Sequence, residues 1–466
     1  MNKAFVGVQV AGISFLDEGF GALVDRLVEH GAVNTLVVPT QSFGTVQQRR
    51  TPTDLPWSGH GREELNYPVG GSYATPHARY YAGTVLPAFR TRDPEFDGVD
   101  VLERLIPEAR SRGVKVFSWI YENPYSSIAA HVPNWSRVLQ VDVFGRRHRL
   151  PCFRNPSYLN WWLSIVEDQL KSYDFDGIQY GSERFGPLGN LLKGGISGVS
   201  AVPHCFCEHC RTAAEIRGID AERAIAGYTQ LYAWRQERAG SKPEGERALV
   251  LFLRALLKYP EILAWEQLWH DGFSGLQRQL YGVAKTIAPE KPVGWHVWHQ
   301  NSFSPLSRAE VDFADMARYS DFIKPVLYHN CAGPRLHRHI EQLRETVFRD
   351  VSESTLFDVY QGTLGYAEKR SVEEISTAGL SGDYVRRETA RVVAAVDGAA
   401  AVYPGIDVDI PTAPDEKKTT PEDVRDGVAG AFEGGADGVI LSRKYSEMQL
   451  DNLAAAGQTI RELGLA

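Results

Sequence analysis

Long apolar runs are missing from this 466-residue chain, and without about 20 consecutive apolar residues no segment reads as a bilayer-spanning helix. Basic clusters are missing too. Fifty Lys and Arg stand against 58 Asp and Glu, a formal charge of −8, which argues against a nucleic-acid partner. Cysteine is scarce at 5 residues, and three of these fall between 205 and 210. That distribution suits a metal or reduced thiols better than a disulfide framework and points to a cytoplasmic location. No Gly/Ser/Pro-rich linker divides the chain, so one domain over 1–466 is expected although the length alone suggests two or three. The start, MNKAFVGVQVAGISFL, reads as a strand rather than a signal peptide. Gln9 and the glycines interrupt its apolar core, and no small-residue cleavage site precedes Asp17.

What is present is alternation. With 43% hydrophobic and 23% charged residues the chain can bury a large core. Short β-branched runs at 4–10, 34–39, 114–121, 175–181, 292–298, 321–328, 399–407 and 437–442 predict strands. Amphipathic stretches at 17–31, 98–112, 157–173, 334–348, 383–396, 421–434 and 447–463 predict helices between them. Eight strands in such order predict an α/β fold, a closed (β/α)₈ TIM barrel. The run 356–361 reads as helix or loop rather than a ninth strand. FDGI (175–178) and ADGV (436–439) place Asp176 and Asp437 at helix-to-strand turns, on the stabilising face of the barrel, with SDFI (320–323) a relative lacking the Gly. Two long loop insertions follow strands 2 and 4. Residues 40–97 are rich in Gly, Pro and aromatics, and 183–290 is a helical insertion carrying the cysteine run.

Barrel enzymes carry their chemistry just past the C-terminal strand ends. There the chain places Tyr121 and Glu122, then Tyr180, Glu183 and Arg184, then His296, Trp298 and His299, then Tyr328, then Asp407 and Asp409, then Arg443. Cleaving a glycosidic bond needs one protonated carboxyl and one ionised carboxylate flanking it. Glu183 and a strand-7 Asp, across the barrel from one another, fit that need, with Asp407 the favoured nucleophile and Asp409 its substitute. Asp407 and Asp409 are two residues apart, so both face one way on an extended strand, and mutual repulsion raises one pKa. Trp119, Tyr121, Tyr180, Trp298 and Tyr328 offer walls on which a sugar's C–H face stacks, and His77, His296 and His299 offer bonds to its hydroxyls. Barrel core is the plainer role for about half of these aromatics.

The run His204-Cys205-Phe206-Cys207-Glu208-His209-Cys210 contains C-x-C-x₂-C, a thiolate spacing typical of one metal site. Cys152 is the leading fourth ligand, with His204 and His209 behind it. A zinc ion closed by four protein ligands has no position for water, so it would be structural. The alternative is a set of reduced, buried thiols. No organic cofactor is expected, and a homo-oligomer is compatible with the sequence.

Together, CFRNPSYLNWWL, YDFDGIQYGSERFG and CFCEHC resemble the hypothetical glycosyl hydrolase barrels. The order Cys152, Glu183, then Cys205, Cys207 and Cys210 is also similar to the zinc-site arrangement of family 42 β-galactosidases, in which the cysteines flank the acid/base Glu of strand 4. The resemblance implies a glycoside hydrolase acting on a carbohydrate, with Glu183 as general acid/base. The family's strand-4 Asn and strand-7 Glu are replaced by Ser182 and by Asp407 or Asp409, so nucleophile and stereochemical course stay open. Two other classes compete: a carbohydrate-binding barrel without catalysis, and a metal-dependent lyase or isomerase using His296, His299 and rim acids.

Overall fold

The computed structural model describes residues 3–44, 69–122, 128, 131–193, 201–237 and 246–466. Its eight barrel strands are β1 (Phe5–Gln9), β2 (Thr35–Gly44), β3 (Lys115–Glu122), β4 (Gly177–Ser182), β5 (Val293–Val297), β6 (Phe322–Leu327), β7 (Ala401–Val402 and Gly405–Asp407) and β8 (Gly438–Ser442). All pair in parallel with their neighbours, and β1 bonds both β2 and β8, which closes the ring. Every predicted strand is present, and the fold is a (β/α)₈ TIM barrel. β7 is broken at Tyr403-Pro404, where the proline nitrogen has no proton to give the ladder.

The predicted helices are present with shifted ends. The first divides at Gly19, whose φ of 84° a glycine adopts without strain, into Gly12–Glu18 and Phe20–Gly31. The run 356–361 lies inside the helix Glu353–Leu364, whose N-cap Ser352 accepts from the Thr355 amide. Within 183–290, helices Pro187–Lys193, Glu208–Ile216, Ala221–Gln236 and Ala248–Lys258 precede Glu261–Ile287. That last helix packs on Pro156–Ser172 in the outer layer, as a barrel helix between β4 and β5 does. Part of the 40–97 insertion lies outside the described residues; Val69–Ser72 pairs antiparallel with the end of β2.

The Asp-Gly turns do two jobs. Asp176 Oδ2 accepts from the Val116 amide at 2.8 Å, Asp437 Oδ2 from Val402 at 2.9 Å, and Asp321 Oδ2 from Val293 at 2.7 Å. Each carboxylate thus ties the foot of its own strand to the preceding one. The glycine that follows makes room in the lumen. A Cβ on Gly177 would lie 2.7 Å from the Phe117 ring, and one on Gly438 would meet Phe5. Phe5, Phe117, Phe322 and Tyr403 fill that space, with Phe5 and Tyr403 stacked at 4.0 Å and Phe117 5.7 Å from Phe322. Alternate residues such as Val6, Leu36, Ile178, Ile323 and Leu441 face the helices and join the outer core. Replacing Asp176 with Ala leaves the Val116 amide without its acceptor. The expected cost is about 1–3 kcal/mol in urea unfolding, without change at the opposite end of the barrel.

Candidate active site

Strand parity decides which predicted residues share a space. Trp119 and Tyr121 alternate with Ser118 and Glu122 on β3, and Trp119 packs in the lumen with Val37, Phe117 and Phe322. Tyr121 continues that face, its ring 4.9 Å from Trp119. On β4, Gly181 faces inward and Glu183 follows two residues on. A Cβ at Gly181 would stand 3.1 Å from His296 and 3.4 Å from Tyr121, so the glycine admits both rings.

Glu183 Oε1 lies 3.0 Å from His296 Nε2, with the glutamate side chain 26% exposed and the histidine 3%. Burial alone would raise the Glu183 pKa. The His296 bond and the charges of His296, Arg335 and Arg443 outweigh it and hold the carboxyl below its ordinary value. Burial pushes His296 the other way, below the usual histidine range, against the pull of Glu183. The pair is therefore a carboxylate accepting from a neutral imidazole. Burial, and then the Glu183 charge, push the Tyr121 phenol well above its usual pKa, so it stays a hydrogen-bond donor facing that carboxylate.

Beneath Glu183 the lumen holds a polar layer. Lys324 Nζ donates to Gln9 Oε1 at 2.8 Å and to Tyr328 Oη at 3.2 Å, and Ser442 Oγ donates to Gln9 Oε1 at 3.0 Å. Gly405 makes this possible, since a Cβ there would stand 2.7 Å from Lys324 Cε. Burial lowers the Lys324 pKa to about 7, with the Glu183 charge opposing. Among the described residues, the buried Trp119 Nε1, both polar atoms of Gln179 and His296 Nδ1 find no partner, a lining suited to water or a polar ligand.

Glu183, Tyr121, His296, Tyr328 and Arg443 thus interact as one group, with Trp119 below it. Arg443 also grips Glu447 through Nε at 2.8 Å and Nη2 at 2.5 Å. His299 is 1% exposed and bonds Tyr384 Oη and Arg335 Nη1, at 3.2 and 2.9 Å. Trp298 is half-buried against Phe185, ring centroids 4.3 Å apart.

Four expectations need correction. Glu122, Tyr180 and Arg184 face the helices, not the lumen, because they have the opposite parity to Tyr121, Gly181 and Glu183. Tyr180 Oη donates to Glu122 Oε2 at 2.9 Å, Arg184 pairs with Glu122, and both ion-pair side chains are at most 1% exposed. Arg184 Nη1 also donates to Pro151 O at 2.5 Å and its guanidinium lies over Phe153. His77 is held by Asp168 of the outer helix Pro156–Ser172, its Nδ1 2.8 Å from Oδ1, beside Tyr173. It does not join the Glu183 group.

Asp407, the last residue of β7, and Asp409, two residues into the loop that follows, are both buried. Asp407 Oδ1 accepts from the Ile410 amide and Oδ2 from the Cys331 amide, at 3.0 and 3.1 Å. Asp409 Oδ2 accepts from the Gln449 amide and Asn452 Nδ2, at 2.7 and 2.9 Å. Burial raises both pKa values, that of Asp409 to about 7, with Asp407 adding to it.

The sulfurs of Cys152, Cys205, Cys207 and Cys210 lie within 4.8 Å of one another, all buried, an arrangement consistent with a structural zinc site. Cys152 rather than a histidine is the fourth member. His204 stacks on His148 and His209 meets Asn155. The cluster joins the hairpin Leu139–Pro151 to the helix Glu208–Ile216, linking the loops above β3 and β4. Sequence reasoning missed Lys324, Gln9, Ser442 and Arg335. A lone lysine inside the apolar strand FIKPVL was the available signal for the first.

The closed parallel barrel thus sets an ionised carboxylate among aromatic and cationic side chains at one end of its lumen, a lining whose chemistry suits a polar ligand. No protein-family model matches the chain, and no curated protein does. Its structural neighbours are glycoside hydrolase barrels. A β-galactosidase from the haloarchaeon Halorubrum lacusprofundi superposes with a TM-score of 0.53 at 14% identity, over 99% of this chain and 58% of that one. A β-galactosidase from Marinomonas ef1 gives 0.52 at 12% identity, over 99% and 61%. The PgaB glycoside hydrolase domain from Bordetella bronchiseptica gives 0.50 at 13% identity, over 99% and 98%. The chain therefore spans about three-fifths of each galactosidase, and the likeness is one of fold. No described helix is long and apolar enough to cross a membrane.

Substituting Arg184 with Met strands the buried Glu122 carboxylate. The expected loss is about 3–5 kcal/mol of unfolding free energy, largely recovered in the Glu122→Gln, Arg184→Met double variant.

Proposed function

We propose that this protein is a glycoside hydrolase whose reaction centre is Glu183 in the mouth of the barrel. One observation carries the reading: a lumen carboxylate kept ionised by His296 and two arginines, ringed by Tyr121 and Tyr328. Such a carboxylate can attack an anomeric carbon or take a proton from water, and the aromatic walls suit a sugar's C–H face. The fold shared with the glycoside hydrolases above supports the same class.

The electrostatics divide the two acid roles. Glu183, with a lowered pKa, acts as the base or nucleophile, the reverse of the first-step acid role that the family resemblance implies for it. The complementary acid comes from the β7 loop. Asp409, with a pKa near 7 and its Oδ2 occupied by Gln449 and Asn452, is the donor candidate. Asp407, with both oxygens bonded to backbone amides, anchors the loop. The competing lyase or isomerase reading has less support, because His296 and His299 each bond other side chains.

The four cysteines hold zinc in this proposal. Sγ separations of 3.4 Å (Cys207 to Cys152) and 3.6 Å (Cys152 to Cys210) are too long for a disulfide near 2 Å. They approach the roughly 3.8 Å edge of a tetrahedron with zinc–sulfur bonds of about 2.3 Å. Four thiolates close the shell, so the ion would brace the loops above β3 and β4. Pro151, bonded by Arg184, immediately precedes Cys152, and Arg184 immediately follows Glu183.

Elemental analysis of the purified protein should return one zinc per chain, and Cys207→Ser should lower both zinc content and melting temperature. Glu183→Gln should retain the fold and lose at least about 1,000-fold in turnover of an aryl glycoside; unchanged turnover would refute the assignment. The rate should fall as pH drops through the lowered Glu183 pKa, where the base takes a proton. It should fall again above about 7, where Asp409 loses its proton. Lys324 titrates near the same point, so the alkaline limb must persist in Lys324→Met and vanish in Asp409→Asn.

A further inference from the structure

Among the described residues, Arg335 is a rim cation with the Glu183 charge nearby but no carboxylate in direct contact. Arg443 is gripped by Glu447, Arg184 pairs with Glu122, and Arg308 and Arg391 share Glu388. Among the described residues no carboxylate lies within ion-pair distance of Arg335. Its Nη1 donates at 2.9 Å to His299 Nδ1 instead.

That bond requires a neutral histidine with its proton on Nε2, and the surroundings enforce both conditions. Burial and the charge of Arg335 hold the His299 pKa well below the ordinary range. His299 Nε2 meets Tyr384 Oη at 3.2 Å, the Tyr384 hydroxyl donates to Ser302 Oγ at 2.7 Å, and Ser302 Oγ donates to the His299 carbonyl at 2.7 Å. The relay fixes the guanidinium while using one of its five N–H donors. Its helix is fixed as well, because Asp407 accepts from the amide of Cys331, one turn before Arg335.

The position of this cation is equally informative. It is bonded to His299, whose ring lies 5.5 Å from Tyr328 of the lumen group, and its charge acts on Tyr328 and Glu183, so it stands beside the reaction centre. Glu183 is already bonded to His296, and nearby Lys324 adds partial positive charge. A neutral sugar offers hydroxyls and needs no such guanidinium. A planar carboxylate matches the unused fork through two parallel, charge-assisted bonds. The Gln179 amide, 0% exposed, and His296 Nδ1, which have no partner among the described residues, are further polar groups of the same lumen.

We propose that the site takes an acidic sugar, a hexuronide whose carboxylate is received by Arg335; this rests on the glycoside hydrolase reading and narrows it. The guanidinium sets the substrate's orientation by fixing its charged corner, leaving the anomeric carbon for Glu183.

Calorimetric titration of the intact protein with glucuronate, galacturonate, glucose and galactose tests this directly, with galactose 6-sulfate as an arm for a non-planar anion. An acid should bind at least about 10-fold more tightly than its neutral counterpart, the worth of one charge-assisted pair. Arg335→Gln should abolish the preference, bringing the acid's affinity to within about 2-fold of its neutral counterpart measured in the same variant. Arg335→Lys, which keeps the charge but not the fork, should retain part of it. Equal binding of acid and neutral sugars, a preference surviving in Arg335→Gln, or preference for the sulfate over both hexuronates would each overturn the assignment. Acid preference without hydrolysis of any aryl hexuronide would count against the hydrolase reading alone. Hydrolysis of neutral glycosides without acid preference would count against the hexuronide alone.

Discussion

A closed aromatic floor governs the chemistry of this barrel. Phe5, Phe117, Phe322 and Tyr403 block one end of the lumen, with glycines on neighbouring strands admitting their rings. Charges set over such a floor lose solvent on one side, so each is strongly affected by its neighbours. That is why a lysine titrates near 7, a histidine stays neutral and a glutamate stays ionised within one cluster.

The sheet separates two polar networks that are interleaved in sequence. Tyr121 and Glu183 belong to the lumen; Glu122, Tyr180 and Arg184 belong to the layer behind it. The rear network ties the front one to the layer behind the sheet. Through Arg184 and Pro151 it joins the strand bearing Glu183 to the cysteine cluster and so to the hairpin above β3. A side chain placed by such a chain of contacts holds its angle without a long loop having to fold around it.

The barrel was legible because its strands are buried on both faces, which leaves β-branched runs too short for helices and regularly spaced between amphipathic segments. Strand ends were legible for the same reason, and Glu183, His296, Tyr121, Tyr328 and Arg443 follow from them. Parity was the information left unused. Tyr121 and Glu122 are adjacent and cannot both face the lumen of one strand, and the same holds for Glu183 and Arg184. His77 and Arg335 lay beyond that kind of reading. One depends on the path of a long loop onto an outer helix, the other on a helix side chain returning over the rim, and neither path is encoded locally. The break in β7, by contrast, is written in a single proline.

Aspartate shows how position, not residue type, assigns work in this fold. At the strand feet, Asp176, Asp321 and Asp437 accept hydrogen bonds from backbone amides of the neighbouring strand, and Asn34 makes the same joint to Val6 at the foot of β2. A joint repeated around a ring distributes mechanical duty evenly. The rim acids share no such template: Asp407 and Asp409 hold different partners on the same loop. One end of the barrel can therefore drift in sequence from loop to loop while the other keeps the strands in step, so a new specificity can arise without the frame being rebuilt.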